Sequence, residues 1–259
     1  MFRLQGQSVP ERRKSIVLDV QDLHQRYWVA RATLSGITFS ATWSDRIAIL
    51  GPGGAGKSTL LNCLARLCSY ESGKIEWFGR DISELTQAES EHLSNMIGMV
   101  QRQPGLVPGV SVLTNVARGA IAGSIGWREW FEWLIPASLR HQALTLLEQT
   151  GVSSKARSPA STLSEPQTRK VCIARTLMRN PQALLVDGIQ EELSPHEGDA
   201  ILQLLVDLTH SSGIPLLYST RDVEQALRFS NRVIGMSRGK IVFDEPTESV
   251  KQKRAEELF

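Results

Sequence analysis

The sequence predicts an α/β fold, and three observations carry that expectation. The apolar run 47–50 leads into Gly51, Pro52, Gly53, Gly54, Ala55, Gly56, Lys57, Ser58 and Thr59, and then into the helical spacing Leu60, Leu61, Leu64, Leu67. Strand, glycine-rich turn and helix is the context in which G-x-x-x-x-G-K-S/T cradles phosphate. Far downstream a second apolar run, 183–186, closes on Asp187, as a buried strand ending in a carboxylate does. After Leu163, helical and strand patterns alternate, the rhythm of a sheet crossed by helices.

Taken in order, residues 1–14 are polar, with Arg12, Arg13 and Lys14 but no apolar stretch after them. They read as a mobile arm and not a signal peptide. Ile16, Leu18 and Val20 alternate, as Leu34, Ile37 and Phe39 do approximately, so short strands precede the run at 47–50. Residues 74–79 read as a strand ending in a turn, 81–95 as helix or loop, and 96–100 as a short apolar strand. The segment 103–109 carries two prolines and two glycines, the punctuation of a turn. From 111 to about 163 the spacing is helical. Trp127, Trp130, Phe131, Trp133 and Leu134 form an aromatic stripe there, either packed into a small helical core or docking another subunit. Residues 167–179 read as a helix with Val171, Ala174 and Met178 on one face. A helix at 197–210, a strand at 214–219, a helix at 222–228 and a hairpin around Arg238 and Gly239 follow. Residues 251–258 read as a charged terminal helix.

The totals narrow the class of function. At 259 residues, 41% hydrophobic and 22% charged, the chain has the composition of an ordinary globular protein. A formal net charge of +2 makes no electrostatic claim on nucleic acid or on a membrane. Cys63, Cys68 and Cys172 are odd in number and lack C-x-x-C spacing, which fits a reducing compartment better than a disulfide framework or a zinc site. No apolar run approaches the roughly 18–20 residues that span a bilayer, so a membrane role has to come through partners.

The phosphate-loop pattern points to a nucleoside triphosphate. The glycines among residues 51–56 let backbone N–H groups close around the β-phosphate, and a helix N-terminus adds partial positive charge. Lys57 reaches the β- and γ-phosphates, the Ser58 hydroxyl ligates Mg²⁺, and Asp187 holds the same ion through water from a neighbouring strand.

Between the two motifs Leu163, Ser164, Glu165, Pro166 and Gln167 stand immediately before a helix. They resemble the LSGGQ signature of ABC-transporter ATPases with both glycines replaced. The resemblance runs from about residue 16 to residue 250. Within the family it is nearest the ATP-binding subunit of phosphonate importers, on Ile97, Gly98, Met99, Val100, on 106–108 with 111–116, on 226–228, and on 232–236 with 239–244. It implies one ABC ATP-binding domain over 15–250 with a mixed-sheet, RecA-like P-loop NTPase core. It also implies an N-terminal antiparallel β-subdomain, a helical subdomain inserted at about 103–165, and a charged tail at 251–259. Two such domains face each other, as a homodimer or as a heterodimer with another ABC ATPase, and each phosphate loop is completed by the partner's signature, here Ser164 to Gln167. The cofactors implied are ATP and Mg²⁺. The partners are a membrane permease subunit and, indirectly, a substrate-binding protein, with the chain peripheral on the cytoplasmic face of the inner membrane. Tyr27 matches the family's adenine-stacking aromatic, with Trp28 as the neighbouring option; stacking of that kind is worth roughly 1–3 kcal/mol. Residues 102–115 and the 127–134 stripe are the candidate permease surface.

The departures from the family pattern are concentrated around the γ-phosphate. Gly188 stands where the family has the glutamate that polarises water, Arg221 where it has the switch histidine, and Arg102 where it has the metal-sensing glutamine. A general base typically contributes on the order of 10²–10⁴-fold; Gly188 has no side chain, and arginine cannot take its place. Glu191 and Glu192, which replace small residues, lie beyond the strand end and are not expected to hold the water. Counted against a neutral histidine, the changes at 102, 188 and 221 leave the half-site three charges more positive, able to hold polyphosphate without cutting it. Glu165 acts on the facing half-site, where a carboxylate about 5 Å from a phosphate costs roughly 3 kcal/mol at an effective dielectric near 20. Across such an interface it is expected to pair with Arg221 or Lys57. The expectation is therefore an importer subunit that binds Mg-ATP with impaired hydrolysis, or an inactive nucleotide-binding or regulatory module beside an active ABC ATPase. A P-loop kinase would need an acceptor site and a replacement base that the sequence does not offer.

Overall fold

The computed structural model describes residues 15–26, 33–103, 105–120 and 135–259, without the side chains at 252 and 253. The expected arm at 1–14, Tyr27 and Trp28, and the stripe from 127 to 134 lie outside the described residues.

Two sheets form the frame. The first is a four-stranded antiparallel sheet in the order β2-β1-β4-β5, built from β1 (Ile16–Gln25), β2 (Leu34–Thr42), β4 (Ser72–Trp77) and β5 (Arg80–Asp81). The alternation read at Leu18 and Val20 buries those side chains while Asp19 between them is half-buried. Asp22 adopts φ 45° where the register shifts, so the alternation restarts at Leu23.

The second sheet has six strands in the order β10-β9-β3-β8-β7-β6: β3 (Arg46–Leu50), β6 (Ile97–Val100), β7 (Ala183–Asp187), β8 (Leu216–Thr220), β9 (Arg232–Ser237) and β10 (Lys240–Pro246). Only the β9–β10 hairpin is antiparallel among these pairs; the rest are parallel. A parallel sheet is covered on both faces, which is why β3, β7 and β8 read as continuous apolar runs. Ile47 and Ile49 face one core cluster with Ala183, Leu185 and Leu217, and Ala48 and Leu50 face the other with Leu184, Val186, Leu216 and Tyr218.

The first cluster fills the space between the two sheets around α1 (Lys57–Leu64), and Trp77 closes it by donating its indole N–H to the Leu64 carbonyl at 3.0 Å. The opposite face carries α6 (Pro195–Ser212), α7 (Val223–Phe229) and the terminal α8 (Gln252–Glu256), whose Ala255 and nearby Leu258 are buried with it. The tail is thus packed as well as charged. A third cluster joins α3 (Val112–Ala117), α4 (Ala137–Gln149) and α5 (Glu165–Leu177); Val171, Ala174 and Met178 lie in it, as their helical spacing predicts. Asn115 pins the preceding loop, accepting from the Val107 N–H and donating to the carbonyls of Val107, Val110 and Ser111.

Local capping settles two boundaries that periodicity left loose. Thr86 and Glu89 form a capping box, so the ambiguous stretch after Asp81 becomes a helix, α2 (Gln87–Met96). Ser194 and Glu197 form another, and α6 begins at Pro195, two residues earlier than its apolar pattern suggests, because proline is accommodated in a first turn. Among the described residues no helix is long and apolar enough to cross a membrane.

Candidate nucleotide site

The parallel strands β3, β8, β7 and β6 lie side by side and end at one rim. Residues leaving those strands therefore meet: the phosphate loop after β3, Arg221 after β8, Asp187 and Gly188 at the end of β7, and Arg102 after β6. This is the position at the carboxyl ends of the strands where open α/β sheets bind ligands.

The loop is held as its glycines require. Gly56 adopts φ 101°, and a Cβ there would stand 2.7 Å from the Thr33 carbonyl oxygen, so only glycine lets the chain turn into α1 beside that backbone. Lys57 folds back under the loop, donating to the carbonyls of Gly51 at 2.6 Å and Pro52 at 2.9 Å. Burial holds the Lys57 ammonium below its ordinary 10.5; Glu191 opposes that lowering, Arg221 adds to it, and weaker effects of Asp187 and Arg102 oppose and add in turn. Gly53, Gly54 and Ser58 are exposed at the mouth, Ala55 is buried behind them and Thr59 is half-buried.

Ser58 Oγ donates to Asp187 Oδ1 at 2.8 Å, and Ser219 Oγ donates to the same oxygen at 2.8 Å. A hydroxyl and a carboxylate in contact are a hard-oxygen pair of the kind that Mg²⁺ selects, so the residues present fit that ion. Phosphates and water would supply the rest of an octahedral shell. The loop's open N–H groups and the N-terminus of α1 fit a polyphosphate.

The opposite wall is not as the sequence suggests. Gly188 adopts φ 54° and starts a turn in which the Glu191 N–H donates to the Gly188 carbonyl at 3.2 Å. That turn brings Glu191, which lies beyond the strand end, back to line the cavity. Arg102 Nη2 donates to Glu191 Oε2 at 2.7 Å, and Arg221 Nε lies 3.2 Å from the same oxygen. The two arginines therefore do not confront the cavity as free cations, and one of the three added positive charges is offset. A Cβ on Gly188 would stand 2.7 Å from Arg102 Nη2 and 3.3 Å from Glu191 Cδ. The room beside Gly188 that a side chain would need is filled by this ion pair. The cavity has about 150 Å³, lined by Thr33, residues 53–59, Arg102, Glu191, Ser219 and Arg221. Larger hollows elsewhere, such as one of about 380 Å³ between Trp77 and α2, lack its phosphate-loop geometry.

Sequence reasoning missed Glu191 and Ser219 as lining residues. Ser219 is legible in retrospect as the last-but-one residue of the strand beside Asp187. Glu191 depends on a left-handed residue at 188, which a glycine permits without announcing.

Ser164, Glu165, Pro166 and Gln167 are not part of this cavity. They form the start of α5, where the Ser164 N–H donates to Gln167 Oε1 at 3.0 Å and Pro166 sits in the first turn. Glu165 already has a partner in its own helix: Arg169 Nη2 lies 2.6 Å from its Oε1, and the same nitrogen donates to Glu192 Oε2 at 2.8 Å. Arg169, buried, also donates to the Arg102 carbonyl. The pairing expected with Arg221 or Lys57 thus meets a competitor within the chain, and Arg169 ties the start of α5 to the backbone at Arg102 and to Glu192 beside Glu191.

Residues 34–189 match the family model described as ABC transporter. The phosphonates import ATP-binding protein PhnC of Nitratidesulfovibrio vulgaris is 34% identical over 246 residues, 95% of this chain and 92% of that one. PhnC 2 of a Synechococcus strain is 32% identical over 243 residues, 94% and 90% of the two chains. Among solved structures, cbiO1 from Clostridium perfringens, part of the ABC transporter complex cbiONQ, superposes with a TM-score of 0.78 at 25% identity over 91% of this chain and 90% of that one. MJ0796, a bacterial ABC transporter cassette in dimeric form, gives 0.76 at 25% identity, covering 90% of this chain and all of that one. With a phosphate loop, a strand-end carboxylate and a mixed sheet of matching arrangement, and with relatives above 30% identity along nearly its whole length, the chain belongs to the ABC transporter family.

Proposed function

We propose that this chain is the ATP-binding subunit of an importer for phosphonate or a related phosphorus oxyanion, and that it binds Mg-ATP while hydrolysing it weakly or not at all. The cargo follows from the relatives named for phosphonate import. The observation that carries the rest is the contrast at the end of β7. Asp187 is oriented by Ser58 and Ser219, whereas Gly188 has no side chain and the nearest carboxylate, Glu191, is committed to Arg102 and Arg221. Bound Mg²⁺ would neutralise phosphate charge between Ser58 and Asp187. The chain's own residues then hold the triphosphate: backbone N–H groups of the loop's glycines orient it, Lys57 adds charge, and among the described residues no side chain is placed to take a proton from water.

In this reading the chain works against a membrane permease, served by a substrate-binding protein, and pairs with a second ABC ATPase domain, identical or different. The Arg102–Glu191–Arg221 bridge favours a different one, since a partner with an intact glutamate would supply the turnover that this half-site lacks. The test is to measure Mg-ATP affinity and steady-state hydrolysis separately on the purified chain. Binding with turnover at least about 100-fold below an intact ABC ATPase domain is expected, and Lys57→Ala should abolish the binding. Brisk hydrolysis by the unmodified chain would defeat the reading.

A further inference from the structure

We infer that Glu191 is a specificity-determining residue of the nucleotide site, a built-in carboxylate that competes with the terminal phosphate for Arg102 and Arg221. The inference rests on the nucleotide-binding reading above and goes beyond it by naming what the site must give up when a triphosphate enters.

Carboxylate and phosphate oxygens are interchangeable acceptors for guanidinium groups. Glu191 Oε2 takes the arrangement that a phosphate oxygen would take, with Arg102 Nη2 at 2.7 Å and Arg221 Nε at 3.2 Å. The arginines stand over the phosphate loop: a Cβ on Gly53 would lie 3.6 Å from the Arg221 guanidinium carbon. The Glu191 side chain is only 12% exposed, whereas Arg221 is 53% exposed and can reach outward to a ligand. A phosphate arriving here finds its donors occupied and a like charge beside it.

The carboxylate is poorly accommodated where it sits. Its second oxygen, Oε1, is buried and has no hydrogen-bond partner among the described residues. An orphaned acceptor of that kind carries a desolvation cost that is recovered when the group turns out to water. Glu191 Oε2 is therefore held by ion pairs with Arg102 and Arg221, and a ligand that engages them releases it. The residues that would reach a terminal phosphate are the ones it occupies, so its effect falls on ATP more than on ADP.

The experiment measures Mg-ATP and Mg-ADP dissociation constants, by calorimetry on the full chain, for the unmodified protein, Glu191→Gln, Arg221→Gln and the double variant, with thermal melts alongside. Glu191→Gln should tighten Mg-ATP by on the order of tenfold after solvent screening, and Mg-ADP by less than about threefold. Arg221→Gln should cost little in the unmodified chain and remove most of the gain in the Glu191→Gln background. Binding of both nucleotides with an unchanged ATP-to-ADP ratio overturns this inference alone. A loss of turnover in Glu191→Gln without tighter ATP binding also overturns it, since Glu191 would then act on water. If Glu191→Gln melts too low to measure, Glu191→Asp, which keeps the charge but shortens its reach, must tighten ATP in the same sense. No binding by any of these proteins overturns both readings.

Discussion

On one side of the cavity Lys57 is held by loop carbonyls and Asp187 by hydroxyls from α1 and β8; on the other, Arg102, Glu191 and Arg221 hold one another by charge. The first wall is specified residue by residue. Gly56 answers to the Thr33 carbonyl and Lys57 to two loop carbonyls, so each position can be read separately. The second wall is a mutual arrangement. The missing side chain at 188 makes room for Arg102 and Glu191, and Glu191 in turn makes two nearby guanidiniums tolerable. A wall of that kind changes as a unit, and single reversions should fail.

The largest expected effect breaks the connection between the arginine wall and α5. Arg169→Ala removes a buried guanidinium shared by Glu165, Glu192 and the Arg102 carbonyl. The two carboxylates are about half exposed and can rehydrate, so the loss should be about 3 kcal/mol, near the lower end for a broken buried pair. Urea denaturation measures it, and a cost below about 1 kcal/mol would mean that α5 is not mechanically joined to the arginine wall through this residue.

A smaller effect tests the coupling itself. Gly188→Glu puts a side chain at φ 54° and a Cβ against Arg102 Nη2, which should cost about 1–3 kcal/mol and restore no hydrolysis. Adding Arg102→Gln and Glu191→Ala should recover the part due to crowding, leaving the backbone strain. If Gly188→Glu alone raised turnover with an unshifted melting temperature, the wall would be a set of independent positions after all.

The smallest effect concerns the far end of the same turn. The Ser194 hydroxyl, first, and its N–H hold the exposed Glu197 carboxyl below its ordinary 4.5. A carboxyl whose folded value is depressed contributes stability that is present above about 4.5 and disappears as pH falls through the folded value. NMR titration should place the Glu197 midpoint below the ordinary range, and Ser194→Ala should return most of the way to it. A midpoint indifferent to Ser194→Ala would show that the cap of α6 is set from outside the turn.

Much of this was legible in the residues. Continuous apolar runs at 47–50 and 183–186 announced buried strands, and the glycine–lysine–serine loop announced a turn from strand to helix. These are local signals, in which the residue that carries the message also makes the contact. Glu191 illustrates the remainder. Its sequence neighbourhood places it four residues past a strand end, pointing nowhere in particular. Only the left-handed turn at Gly188, and the parallel ordering that brings the ends of β6 and β8 beside β7, put its carboxylate between two arginines.

The chain by itself therefore determined the α/β class, the glycine-rich loop between strand and helix and the carboxylate at the end of β7, because strand burial, turn chemistry and motif spacing are written in neighbouring residues. Tertiary structure alone decided which distant charges meet: Glu191 with Arg102 and Arg221, Arg169 with Glu192. The physical reason is that Coulomb attraction between side chains depends on distance in space, and segments far apart in the sequence acquire that distance only when the sheet brings their strand ends to one rim.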